Sequence, residues 1–179
     1  MYKRQLEHGT PYFDRLLASM ERLPFRPGTF DLVLSLASIH HSPSLDPVMA
    51  ECARVLRPSG RLALTSEPCI AFYKQKRVEN LETAAGINEH TYNLLDYRQA
   101  FQRAGLQARY FLPGALITVL EGEGTALSGG ANSRLLGLAR RAWGYALLRR
   151  ALSSQGANLV GLLFFEYGLT AVARKPRVE

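Results

Sequence analysis

The apolar positions of this chain fall into a few periodic runs that punctuation residues separate. Phe30-Asp-Leu-Val-Leu-Ser-Leu36 is almost continuously apolar, partly β-branched, and entered from the Pro27-Gly28 turn. It predicts a strand buried on both faces. A polar stretch, Ser38–Asp46, follows. Val48, Met49, Cys52, Val55 and Leu56 then recur at helical spacing, with Asp46 as expected N-cap, Pro47 as first helical residue and Pro58 as the limit. The Pro58-Ser59-Gly60 turn leads into a second strand, Leu62–Ser66. Strand, helix, strand in this order predicts a βαβ unit with parallel pairing and a right-handed crossover.

Farther along, Asp96 with Gln99 has the form of a capping box, and Tyr97, Ala100, Phe101 and Ala104 share the apolar side of the helix it would open. Gly105 stops that helix, and Leu106–Leu112 predicts a strand. Gly168–Arg174 alternates as a last strand closed by Pro176. The intervening segment, 114–160, is first Gly/Ser-rich and then helix-forming over Arg134–Leu152, which predicts a helical insertion or lid before the last strand. No internal repeat is present.

Composition narrows the class without naming it. A chain of 179 residues with 47% hydrophobic and 21% charged positions has the length to bury roughly 70% of its unfolded surface, so disorder and disulfide scaffolds are excluded. Cys52 and Cys69 have no further Cys or His pair at zinc spacing, so the sequence predicts no metal site. Their number fits a reducing compartment, and the expected location is cytoplasmic. Apolar runs such as Ala115–Leu120 fall short of the ~20 residues that a membrane span requires. The net charge of +7 invites a nucleic-acid reading, but its distribution opposes one. Residues 124–165 carry five arginines (Arg134, Arg140, Arg141, Arg149, Arg150) and no acid, while residues 1–123 are nearly balanced. On a helical wheel these arginines do not share a face, and only Trp143 and Tyr145 stand among them, so neither a membrane-surface helix nor a single-strand binder is expected.

The βαβ region matches something specific. Glu21-Arg-Leu-Pro-Phe25, Phe30-Asp-Leu-Val-Leu-Ser35, Ile39-His-His41 and Glu51-Cys-Ala-Arg-Val-Leu-Arg-Pro-Ser-Gly60 stand in the order of the central part of a class I S-adenosylmethionine-dependent methyltransferase, of the type acting on small molecules. The chain resembles that family over about residues 15–112 and 165–176, with Ala104-Gly105-Leu106 as its late turn and Leu169–Pro176 as its final strand. The resemblance implies an α/β, Rossmann-like class I methyltransferase sheet, with S-adenosylmethionine held at the carboxyl ends of the strands. It implies that Ser19, Met20 and Glu21 flank the adenine, although the family commonly has an acid where Ser19 stands. Leu36, Ala37 and Ser38 would line the methionine and sulfonium end. Met20 has an equally good reading as core.

His40 and His41 follow at the rim where an acceptor would sit. Methyl transfer is an in-line displacement that the protein serves by alignment, and an oxygen or nitrogen acceptor also has to lose a proton. An imidazole titrates in the useful range, so His40 and His41 are candidate bases, with Glu67 beyond the second strand as a third. The alternative for each histidine is local packing in the loop, and for Glu67 an ordinary solvated turn carboxylate.

The family's glycine-rich loop and its ribose-binding acid have no counterpart here. Gly9 is the sole glycine ahead of Ser19, which the resemblance places just after the family's third strand, so the sheet is expected to be incomplete at its N-terminus. Residues 1–5, Met-Tyr-Lys-Arg-Gln, read as the translation of a sequencing-library adapter, and residues 6–179 as a partial methyltransferase domain. Such a chain is expected to be inactive alone, to bind the cofactor weakly or not at all, and to leave a strand edge exposed. The expected acceptor is a small, lipophilic or aromatic molecule. A second reading, from a different class, is a non-catalytic binding module that uses the Arg-rich segment 134–150.

Overall fold

A computed structural model describes residues 16–74, 89–111, 141, 163 and 167–177. Strand β1 (Phe30–Leu36) leads through a 3-10 turn (Ile39–His41) into helix α1 (Leu45–Val55) and the long strand β2 (Leu56–Ile70). A two-residue strand β3 (Tyr92–Asn93), helix α2 (Leu94–Arg103), β4 (Gln107–Phe111) and β5 (Tyr167–Arg174) complete the described elements. The sheet order is β1-β2-β5-β4, with β3 attached to β2. β1 and β2 pair in parallel, as the βαβ reading predicts, while β5 runs antiparallel to both β2 and β4.

The predicted stripe of α1 is its buried face: Val48, Met49, Cys52, Val55 and the following Leu56 are all buried. All of them but Val55 join Tyr97, Ala100 and Phe101 of α2 in one cluster with Leu62, Leu64, Tyr110, Leu169, Ala171 and Ala173 of the sheet. α1 begins two residues earlier than expected, after Ser44, so Asp46 lies in its first turn and Pro47 is its third residue. Proline is tolerated there because the first amides of a helix have no intrahelical acceptor. At the other end Lys175 Nζ donates to the carbonyls of Ala53 and Leu56 at 2.7 and 2.8 Å, tying the residue after β5 to the end of α1.

Three further details depart from the sequence reading. The capping box of α2 lies three residues earlier: Asn93 Oδ1 accepts from the Leu95 and Asp96 amides, and Asp96 accepts the Asn93 N–H. Gly105 ends the helix as predicted, at φ +68°. The Pro58–Gly60 turn is absorbed into β2 as an irregularity, with Ser59 at φ +69°, where pairing with β1 jumps from Phe30↔Leu56 to Leu32↔Arg61. β1 is not buried on both faces. Ser35 is buried, whereas Leu32, Leu34 and Leu36 are 57%, 66% and 64% exposed, because among the described residues both helices contribute to the core on the opposite side of the sheet. The expected helix over Arg134–Leu152, the insertion 114–160 apart from Arg141, and residues 1–5 lie outside the described residues. No described helix is long and apolar enough to cross a membrane.

Candidate functional site

The parallel pair ends where the sequence places its candidate chemistry. β1 closes on Leu36↔Thr65, and Ala37 then turns the chain at φ +44°, in the region that non-glycine residues rarely occupy. Its N–H is held by the Thr65 carbonyl at 3.0 Å. Leu36 and Ala37 are exposed and Ser38 is half-buried, so the three residues assigned to the sulfonium end form an open edge immediately before the histidine turn.

Glu67 organises that turn from the neighbouring strand. Its Oε1 accepts from the Ser38 N–H at 2.9 Å, the Ile39 N–H at 3.1 Å and the Ser35 hydroxyl at 3.0 Å. Its Oε2 accepts from the His40 N–H at 3.3 Å and from His40 Nδ1–H at 3.0 Å. The Ser38 side chain makes no cap bond to the turn; the amides that open it are satisfied by a carboxylate from β2 instead. Glu67 is fully buried, unlike the solvated turn carboxylate that was one reading of it. Burial pushes its pKa up, but the Ser38 N–H, the His40 ring, the Ile39 N–H and the Ser35 hydroxyl outweigh that and hold it below the ordinary carboxylate range. An ionised carboxylate only accepts, so His40 carries its proton on Nδ1 and the neutral ring presents a bare Nε2.

A bulge brings Glu67 into this position. Ser66 takes φ +58°, and the β2–β5 register shifts between Leu64 and Glu67. The alternation of β2 therefore changes parity: Leu62 and Leu64 are buried, Ser66 is exposed, and Glu67, Cys69 and Ala71 are buried. Gly168 on β5 makes room for it, since a Cβ there would lie 2.9 Å from the Ser66 Cα.

The remaining candidates lie around this frame. His40 is buried, and its ring sits 4.2 Å from that of the half-exposed His41. Ser19 accepts the Glu21 N–H at 3.2 Å and forms an isolated bridge with Arg22. Met20 packs half-buried against the core cluster, in keeping with its core reading. The Glu21 carboxylate accepts the buried Ser42 hydroxyl at 2.6 Å, which ties the Ser19–Glu21 segment to the end of the histidine turn. Tyr92 fixes the same point by donating to the Ser42 carbonyl at 2.7 Å.

Sequence reasoning missed Ser35, Ser42 and Glu89. Ser35 and Ser42 read as polar filler within and after the predicted strand. Glu89 is held close by the neighbouring His90 N–H, which donates to the His40 carbonyl at 3.1 Å. Its carboxylate then stands 3.5 Å from His40 Nε2 and 3.6 Å from His41 Nδ1.

The family described as "Methyltransferase domain" matches residues 2–64, a stretch that contains β1, the histidine turn and α1. The 27-O-demethylrifamycin SV methyltransferase of Amycolatopsis mediterranei is 49% identical over 47 residues, which are 26% of this chain and 17% of that protein. Among solved structures, the cyclase SpnF aligns over 98% of this chain and 62% of its own, with a TM-score of 0.57 and 16% identity. Geranyl diphosphate methyltransferase in complex with S-adenosylmethionine aligns over 96% and 62%, with a TM-score of 0.55 and 20% identity. These two likenesses show the Rossmann-like fold. The chain spans well under two thirds of the curated relative that it matches.

Proposed function

We propose that the chain is part of a class I S-adenosylmethionine-dependent methyltransferase and that it forms the acceptor side of a site that methylates a small molecule. The observation that carries this reading is that the histidine turn, inside the matched stretch, is fixed at the carboxyl end of β1 by Glu67, three residues beyond that stretch.

The residues present fit the cofactor. At the strand end, an exposed Leu36 and the small Ala37 and Ser38 leave open surface where a ligand would approach the backbone, as sites at the carboxyl ends of parallel strands require. Leu36, Ala37 and Ser38 would contact the methionine part, and Ser19, Met20 and Glu21 the adenine. When bound, S-adenosylmethionine supplies a methyl group activated by its sulfonium. The chain's own contribution is alignment and proton removal. Glu67 has both oxygens occupied by donors, so it acts as a positioning residue for His40 rather than as the base. His40 Nε2 and the more accessible His41 ring take the acceptor proton. The relative named for a rifamycin favours a largely apolar acceptor.

The test is calorimetric titration of S-adenosylmethionine into this chain and into a version extended upstream in its gene, followed by assay of labelled methyl transfer to apolar hydroxylated acceptors. Saturable binding by the extended version, with transfer that H40N or H41N lowers by about 100-fold or more, supports the reading. Binding by neither protein refutes it and leaves the non-catalytic binding module.

A further inference from the structure

The Nε2 of His40, the Nδ1 of His41 and the Glu89 carboxylate converge on one point. Each offers one ligand atom, and these atoms lie within 4.8 Å of one another. His40 has its Nδ1–H committed to Glu67, so Nε2 faces the cluster. The cluster sits on a fixed base: His40 is 5% exposed and Glu67 fully buried, and the His90–His40 backbone bond holds the Glu89 segment against the turn. Outward it is open, with Glu89 at 21% and His41 at 38% exposure. A carboxylate beside two imidazole nitrogens is a donor set that suits a cation.

We propose that His40 Nε2, His41 Nδ1 and Glu89 bind a divalent first-row transition-metal ion, with zinc as the reference ion. Bonds of about 2.0–2.2 Å to nitrogen and oxygen place neighbouring ligand atoms roughly 3.0–3.5 Å apart. The two contacts to Glu89 at 3.5 and 3.6 Å are already near that spacing. Two imidazoles with one carboxylate select zinc and its neighbours over the harder magnesium and calcium. Glu67 occupies the place of the carboxylate that orients a metal-bound histidine and fixes its tautomer. Three protein ligands and an open outer side leave a position for water or an acceptor oxygen, whose pKa the metal would lower. Metal occupancy and proton removal by these imidazoles exclude each other, since both use the same lone pairs. The spacing of cysteines and histidines along the chain gave no sign of the site, because its carboxylate comes from a segment remote in sequence.

The experiment is competition for Zn²⁺ between the chelator-stripped chain and a chromophoric chelator. One ion per chain is expected, with affinity weakened at least about tenfold in H41Q and in E89Q, and by about 10–100-fold in E67Q, which loses the orienting carboxylate but no ligand. H90Q, a nearby histidine outside the triad, should bind like the parent. Cobalt substitution gives a second readout: visible absorption bands that E89Q weakens. No stoichiometric binding, or equal affinity in the parent, H41Q and E89Q, overturns the site. Zinc binding by this chain, with no S-adenosylmethionine binding by either the chain or its upstream-extended version, would refute the methyl-transfer reading and leave this one standing.

Discussion

His40 Nδ1–H donates to Glu67 Oε2 across 3.0 Å, and this contact decides which ring nitrogen faces the site. With Glu67 ionised, the neutral ring has one available tautomer. Nitrogen-15 spectra should show His40 protonated at Nδ1 and bare at Nε2 when neutral. E67Q places an amide N–H₂ against either the Ser38 and Ile39 amides or the His40 donors. It should therefore lower stability by about 1–3 kcal/mol, measured by urea unfolding, and give a mixture of His40 tautomers.

The bulge at Ser66 depends on the absence of a side chain at residue 168. A Cβ at Gly168 would meet backbone, the Ser66 Cα at 2.9 Å, so relief requires the strand to move. G168A should cost about 1–3 kcal/mol and shift the amide resonances of Ser38 and Ile39, which report on Glu67. Loss of stability with those resonances unchanged would separate the bulge from the site.

Much of the fold could be read from periodicity, and the heart of the site could not. The β1–α1–β2 order, the α1 stripe and the helix stop at Gly105 each follow from local spacing. The position of Glu67 does not, because simple alternation from Leu62 and Leu64 places residue 67 on the other face, and one left-handed residue reverses the parity. The cap of α2 was misplaced because Asp96 is a good first-turn acid as well as a good cap, and Asn93 three residues earlier takes the cap position. Glu89 reaches the histidines through a backbone bond from His90, for which no sequence pattern exists.

Glu51 gives a pH-dependent contribution away from the histidines. The Arg54 guanidinium beside it lowers its pKa to about 2, against an upward push from burial and with help from the Leu23 N–H at 2.7 Å. Its folded-state pKa lies below the unfolded value of 4.5, so its stabilisation is full above pH ~5 and is lost as pH falls toward 2. After allowance for solvent screening the contribution is about 1–2 kcal/mol. Urea midpoints of the parent and E51Q should differ at pH 7 and converge near pH 2–3.

Leu32, Leu34 and Leu36 form an exposed apolar row on β1, a strand that pairs only with β2 among the described residues. Such a row promotes self-association. Light scattering should show mass rising with concentration, and L32E/L34E should suppress the rise. A soluble monomer at high concentration in the parent would count against the exposed face.

The central claim places the cofactor at the carboxyl end of β1, beside the carboxylate-anchored histidine turn. S-Adenosylhomocysteine titrated into the nitrogen-15-labelled, upstream-extended protein tests it most directly. The account predicts saturable shifts of the Leu36, Ala37 and Ser38 amides, with smaller shifts through Ile39–His41. Saturable binding that shifts resonances elsewhere and leaves residues 36–41 unmoved would contradict it.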